Sequence, residues 1–393
     1  MSLTRRRLFQ RLSTPVQSAH GEWIAARGRE AGMMEYGEQG MAQGAKPIRI
    51  ASNENPLGPG QHVLDAIVGK FPEAHRYPFN AKQTEGALIT DIAKRYSAKN
   101  ENVLLGPGSG EILTHAVRAF TSPTKPLVTA WPSFENPRDT AKKIGTPVRE
   151  VGFDGKLRID IAKMVEASKG AGLVFFCNPN NPTATVHGHS AVADMVKAIR
   201  AASPDTMILI DEAYHDYVTD PSYTSAIDIA LATPNVFVTR TFSKAYGMAG
   251  LRAGYAIGHA PTVKAVQAFK MPYGLSTLTL GGTIVGLADQ AHIDAEQKRN
   301  TAVKAFTVKA FADMGVTGTD SQANFLFMDI KRPAAGFRDA CRAAGVQVGR
   351  DFPPFEKTHC RVSIGTMEEM QKAVEVFKKV LGSTTTTSSK DRQ

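Results

Sequence analysis

Thr241-Phe242-Ser243-Lys244-Ala245-Tyr246-Gly247-Met248-Ala249-Gly250-Leu251-Arg252 follows shortly after the apolar run Val236-Phe237-Val238. That run has the β-branched and aromatic make-up of a buried strand. A serine and a lysine therefore fall where the strand ends. A lysine after a strand is in most proteins a solvated surface residue. Here Gly247 and Gly250 permit close backbone approach in the loop that follows, which marks the segment as more than a surface turn.

The same pattern recurs upstream. Residues 103–105 are apolar and run into Gly106-Pro107-Gly108-Ser109-Gly110, followed by a helical pattern over 111–120. Residues 127–130 are closed by Trp131-Pro132, and 173–177 by Asn178-Pro179-Asn180-Asn181-Pro182. Residues 207–210 end in Asp211-Glu212, and 251–257 read as a further strand with glycines inside it. Apolar runs alternating with helical patterns predict an α/β fold, a mostly parallel sheet covered by helices on both faces. The carboxyl ends of such strands line one edge, where α/β proteins bind ligands. An asparagine, an aspartate, a lysine and a glycine-rich helix start would converge there. Each alone reads as a turn, a cap, a solvated charge or a tight connection; the four together define a candidate site.

After about residue 290 a long helical pattern (291–314), a strand (324–328), a helix (334–344) and a strand (361–364) predict a smaller α+β domain. The expected division is a basic leader at 1–45, an N-terminal part of the small domain at 46–75, a large domain at 76–290, the rest of the small domain at 291–382, and a disordered tail at 383–393. The formal charge is +10, but Arg5, Arg6, Arg7, Arg11, Arg27 and Arg29 against Glu22 and Glu30 concentrate +4 of it in the leader. The body is only mildly basic, with no aromatic-interleaved stripe, so a nucleic-acid partner is not expected. No apolar run reaches the roughly 20 residues that span a bilayer, so no membrane partner is expected either. Cys177, Cys341 and Cys360 show neither disulfide nor metal-ligand spacing. Thr4-Arg5-Arg6-Arg7-Leu8-Phe9 looks like a twin-arginine export signal, yet residues 10–29 lack its apolar stretch. A cytoplasmic protein is expected, with periplasmic export as the alternative.

The 241–252 segment resembles the lysine segment of fold-type I aminotransferases. The chain from about 48 to 381 resembles the class I/II group, nearest the histidinol-phosphate aminotransferase branch. The resemblance implies the pyridoxal-phosphate (PLP) transferase fold and PLP as cofactor, held as a Schiff base by Lys244. An amine is required to form the imine, to be displaced by the substrate and to shuttle the α-proton. By the same resemblance Asp211 partners the pyridinium nitrogen, Tyr214 and Asn181 bond the phenolic oxygen, and Phe134 stacks on the ring. Ser109, Gly110, Thr241, Ser243 and Arg252 belong to the cofactor site, and Tyr77 reaches the cofactor phosphate of a second subunit, which implies a homodimer with shared sites. Two positions depart from the family pattern: Gly110 replaces an aspartate, and Ala184 stands where glycine is usual, which adds strain if φ there is positive.

For the substrate, the resemblance assigns Arg361 to the acidic group, with Asn53 and Asn55 in a segment that closes over it. Arg350 is a second anion contact or a solvated charge. The expected partners are an amino donor and a 2-oxo acid acceptor, with no metal. The alternatives are a racemase, β-lyase or decarboxylase with the same cofactor residues and, more remotely, a non-catalytic regulatory module.

Overall fold

A computed structural model describes residues 47–78 and 84–382. The leader, with its export-like motif, and the tail lie outside the described residues. The strands are β1 (Ile48–Arg49), β2 (Val103–Gly106), β3 (Leu127–Ala130), β4 (Val148–Val151), β5 (Leu173–Cys177), β6 (Met207–Asp211), β7 (Val236–Thr241), β8 (Gly254–Gly258), β9 (Thr317–Gly318), β10 (Phe325–Asp329), β11 (Val346–Gln347) and β12 (His359–Ser363).

Seven strands form one sheet in the order β2-β8-β7-β6-β5-β3-β4. β4, β3, β5, β6 and β7 pair in parallel, and β8 runs antiparallel to both β7 and β2. β5, β6 and β7 are buried along their whole length, as strands covered on both faces must be. The two-residue period sends alternate side chains to opposite faces. Val174, Phe176, Ile208, Ile210 and Val238 enter one core; Leu173, Phe175, Cys177, Leu209 and Phe237 enter the other.

A third core gathers Ile50, Phe311, Leu326, Phe337, Val362 and Phe377 around the antiparallel sheet β12-β10-β9 and the parallel pair β1-β11. The helix Gln290–Asp313 serves two cores: Ile293 packs under the large sheet, and Val303 and Phe311 in the smaller body.

Two expectations need correction. In the 46–75 segment, Ile50 belongs to the smaller core, but the helix Gln61–Gly69 turns Val63 into the large-sheet core. It packs on the helix Thr277–Ala288, where a Cβ at Gly282 would meet Ile67 at 2.8 Å. The strand expected over 251–257 begins only at Gly254. Residues Ala249–Leu251 form a 3-10 turn, and Arg252 has φ 52°, a left-handed conformation no strand accommodates.

Candidate active site

Register brings the polar strand ends together. Cys177 of β5 pairs with Asp211 of β6, which pairs with Thr239 of β7. Asp211 is buried, and its Oδ1 accepts from Thr239 Oγ1 at 2.8 Å. Burial pushes its carboxyl up to about 7; the Thr239 hydrogen bond opposes that and Glu212 adds to it.

Lys244 follows the end of β7 and is partly buried, with Nζ donating to Ser52 O at 3.2 Å and lying 5.7 Å from the Tyr214 ring centroid. Burial, helped by Arg361 and Arg252, pulls the amine down to about 8, against the opposing pull of Glu54 and Asp211. Tyr214 is buried, its hydroxyl accepting from Asn53 Nδ2 at 3.0 Å, its ring edge-on to Phe325 and its phenol pushed up by desolvation.

The helix Ser109–Phe120 starts at the same edge. Its N-cap, Gly108, has φ 80°, and a Cβ there would come within 3.0 Å of the Arg252 guanidinium carbon. A Cβ at Gly254 would lie 2.7 Å from the Gly108 carbonyl carbon. Glycine at both positions lets the helix start sit against Arg252. Arg252 Nη1 donates to Ser243 Oγ at 3.3 Å, and Thr241 Oγ1 bonds Ser243 Oγ at 2.9 Å. A guanidinium, two hydroxyls and the unpaired amides of a helix start form a cradle for a phosphate. A Cβ at Gly110 would meet nothing within 4 Å, so the missing aspartate leaves open space at the helix start.

On the substrate side, buried Arg361 donates to Asn181 Oδ1 at 2.7 Å and to Ala51 O at 2.6 Å. The first bond orients the Asn181 amide so that Nδ2 is the end able to donate elsewhere. Asn53, with φ 56°, receives Ser363 Oγ on Oδ1 at 2.8 Å, and Asn55 Nδ2 donates to Ala245 O at 3.0 Å. A cavity of about 310 Å³ opens beside these groups, lined among others by Glu54, Asn55, Ser243, Gly247 and Ser363.

For three expected residues the structure shows contacts outside this hydrogen-bonded cluster. Phe134 packs partly buried on the sheet core. Tyr77 is 67 % exposed with its ring centroid 5.2 Å from that of Tyr273. Arg350 is neither a free anion contact nor a merely solvated charge: it is ion-paired with Glu135. The sequence pattern did not single out Thr239, Ser363, Ser52 or Phe325, because each acts through a partner remote in the chain. Among the described residues no group of His, Cys, Asp and Glu could hold a metal ion, and no helix is long and apolar enough to cross a membrane.

The family model for aminotransferase class I and II matches residues 45–377. The chain belongs to that family. It is 33 % identical to a histidinol-phosphate aminotransferase of Symbiobacterium thermophilum, covering 85 % of this chain and 91 % of the relative. It is 31 % identical to an aromatic amino acid aminotransferase of Streptomyces avermitilis, covering 88 % of this chain and 94 % of the relative. The solved histidinol-phosphate aminotransferase of Sinorhizobium meliloti, in complex with pyridoxal-5'-phosphate, superposes with TM-score 0.80 over 95 % of this chain and 99 % of that one; at 23 % identity it speaks for the fold. This class I/II aminotransferase is thus a PLP-dependent enzyme, near the histidinol-phosphate branch. Its residues fit the cofactor on their own evidence: the glycine-built phosphate cradle, a buried carboxyl poised for a cationic N–H, and a lysine whose amine is partly neutral near pH 8.

Proposed function

We propose that the enzyme transfers an amino group from an amino acid or histidinol phosphate to a 2-oxo acid, with Lys244 binding the cofactor covalently. The observation that carries this is Lys244 itself, a lysine at the end of β7 with its amine pulled down to about 8 and Asp211 acting on it from the next strand.

In this reading Ser109, Gly110, Ser243 and Arg252 hold the cofactor phosphate, and Asp211 accepts from its ring nitrogen. Tyr214 and Asn181 bond its phenolic oxygen, and Phe134 covers the ring. Bound PLP supplies an electron sink for the pair left when the substrate Cα–H bond breaks. Lys244 Nζ would accept the proton from the substrate Cα and hold it for return on the cofactor side of the amino nitrogen. Its lowered pKa keeps enough free base at neutral pH for the first step. Arg361 grips the substrate's acidic group, while Asn53 and Asn55 close the cavity on the N-terminal side and keep water out.

A homodimer sharing its sites through Tyr77 is supported by the exposure of that tyrosine beside Tyr273. A cytoplasmic setting is supported by three cysteines kept as buried free thiols.

The test is the visible spectrum of the purified holoenzyme. Single amino donors added without an oxo acid should bleach the cofactor band, and a 2-oxo acid should restore it. Lys244→Ala should lose the lysine-bound band and slow the half-reaction by at least about 10²-fold. A band that no donor bleaches would favour a racemase, lyase or decarboxylase on the same residues.

A further inference from the structure

The two arginines of the substrate side differ in what already holds them. Arg361 is buried and bonded to Ala51 O and Asn181 Oδ1. Arg350 is partly exposed; its Nη2 pairs with Oε2 of Glu135, and its guanidinium carbon lies 4.2 Å from the Phe352 ring centroid. The guanidinium carbon of Arg361 lies 4.8 Å from the same ring. Gly349 N donates to Arg361 O at 2.8 Å, and a Cβ at Gly349 would stand 2.7 Å from that oxygen. The segment carrying Arg350 is thus pressed onto the strand carrying Arg361. Glu135 comes from the opposite side, in the loop after β3 and next to Phe134. Arg350 is therefore tied to Arg361 through Gly349 and the shared Phe352 ring, with its charge already paired by Glu135.

We infer that Glu135 is a specificity-determining residue: a resident counter-ion that turns the outer substrate subsite at Arg350 from cationic to neutral. The inference rests on the aminotransferase reading above. A donor with an acidic side chain must displace a carboxylate tethered to the fold, which competes at high effective concentration. It would also meet Glu135 as a like charge. A donor with a flat, apolar side chain meets the Phe352 face and a neutral ion pair, and displaces nothing. The wild-type enzyme is accordingly biased toward aromatic donors over donors with a distal anion.

The experiment compares kcat/KM of the holoenzyme for histidinol phosphate and for L-phenylalanine in wild type, Glu135→Gln and Glu135→Gln/Arg350→Gln. Glu135→Gln should raise the acidic-to-aromatic ratio about tenfold, chiefly through KM. The double variant should return the ratio to the wild-type value or below, since no freed cation remains. A pair that merely latches the two bodies together would change both donors alike. An unchanged ratio in Glu135→Gln, or a rise that persists without Arg350, overturns the inference. If neither donor turns over in wild type, it is the choice of donor within the aminotransferase reading that fails. Equilibrium binding of histidinol phosphate, followed by protein fluorescence, then still decides the counter-ion: tighter binding to Glu135→Gln supports it, and equal binding overturns it.

Discussion

Lys244 and Asp211 are shifted toward each other's range by the same cause. Burial costs each its charged form, so the acid rises to about 7 and the amine falls to about 8. The consequence is kinetic, because an amine attacks a carbonyl only as its free base. In cofactor-free protein the rate of PLP uptake at Lys244 should rise about tenfold per pH unit below 8 and level off above it. An ordinary lysine would continue to rise to roughly pH 10.4. Stopped-flow absorbance across pH 6–10.5 checks this. Glu54→Gln should move the plateau to lower pH, since Glu54 is one of the groups that hold the amine's pKa up. A wild-type plateau near 10 would show that Lys244 is not desolvated.

Among the elements, the loop after β5 carries the clearest conflict between local preference and fold. Ala184, in place of the family's usual glycine, has φ 59° and is fully buried against Tyr214 and Phe325. Its N–H donates to Asn180 O at 2.7 Å and its carbonyl accepts from Gln322 N at 2.8 Å, so the loop is held in that shape from both sides. A left-handed alanine costs about 1–2 kcal/mol, while the buried methyl returns about 0.8 kcal/mol. Ala184→Gly should therefore leave stability within about 1 kcal/mol of wild type with activity retained. Ala184→Val, branched at Cβ, should lose at least about 2 kcal/mol. Urea midpoints measure both; a loss above 2 kcal/mol for glycine would mean that methyl packing outweighs strain. The strand-end loops were legible in sequence because each is a local composition: an apolar run, then Asn-Pro, Asp-Glu, Ser-Lys or a glycine turn. β4 was not, since it is an edge strand with only Val151 fully buried and no apolar run to mark it. That the helix Gln61–Gly69 packs on the large sheet was not legible, because an amphipathic face does not say which partner it meets. The Arg350–Glu135 pair joins residues that only the tertiary fold brings together, so neither local pattern announced it.

At the scale of the whole molecule, apolar side chains are left exposed along one pair of neighbouring segments. Val68 is 63 % exposed, Phe71 59 %, Tyr77 67 %, Met271 67 % and Tyr273 55 %. A cavity of about 470 Å³ is lined by Tyr77, Pro78, Tyr273 and Leu275 among others. Large apolar residues gathered in this way mark an interaction surface rather than ordinary scatter, and in the proposed shared-site dimer a second copy of the chain would cover it and bring Tyr77 to a neighbouring phosphate cradle. If the dimer completes each site, activity and association must fall together. Val68→Glu and Met271→Glu place charges in the surface without touching Lys244, Asp211 or the cradle. Each should shift the dimer–monomer equilibrium seen by sedimentation by about tenfold or more toward monomer. Specific activity should then drop at nanomolar protein and recover at micromolar. Tyr77→Phe should keep the dimer yet weaken retention of PLP, because only the hydroxyl is lost. A charged variant that sediments as a monomer with undiminished activity would refute the shared site, and with it the role given to Tyr77.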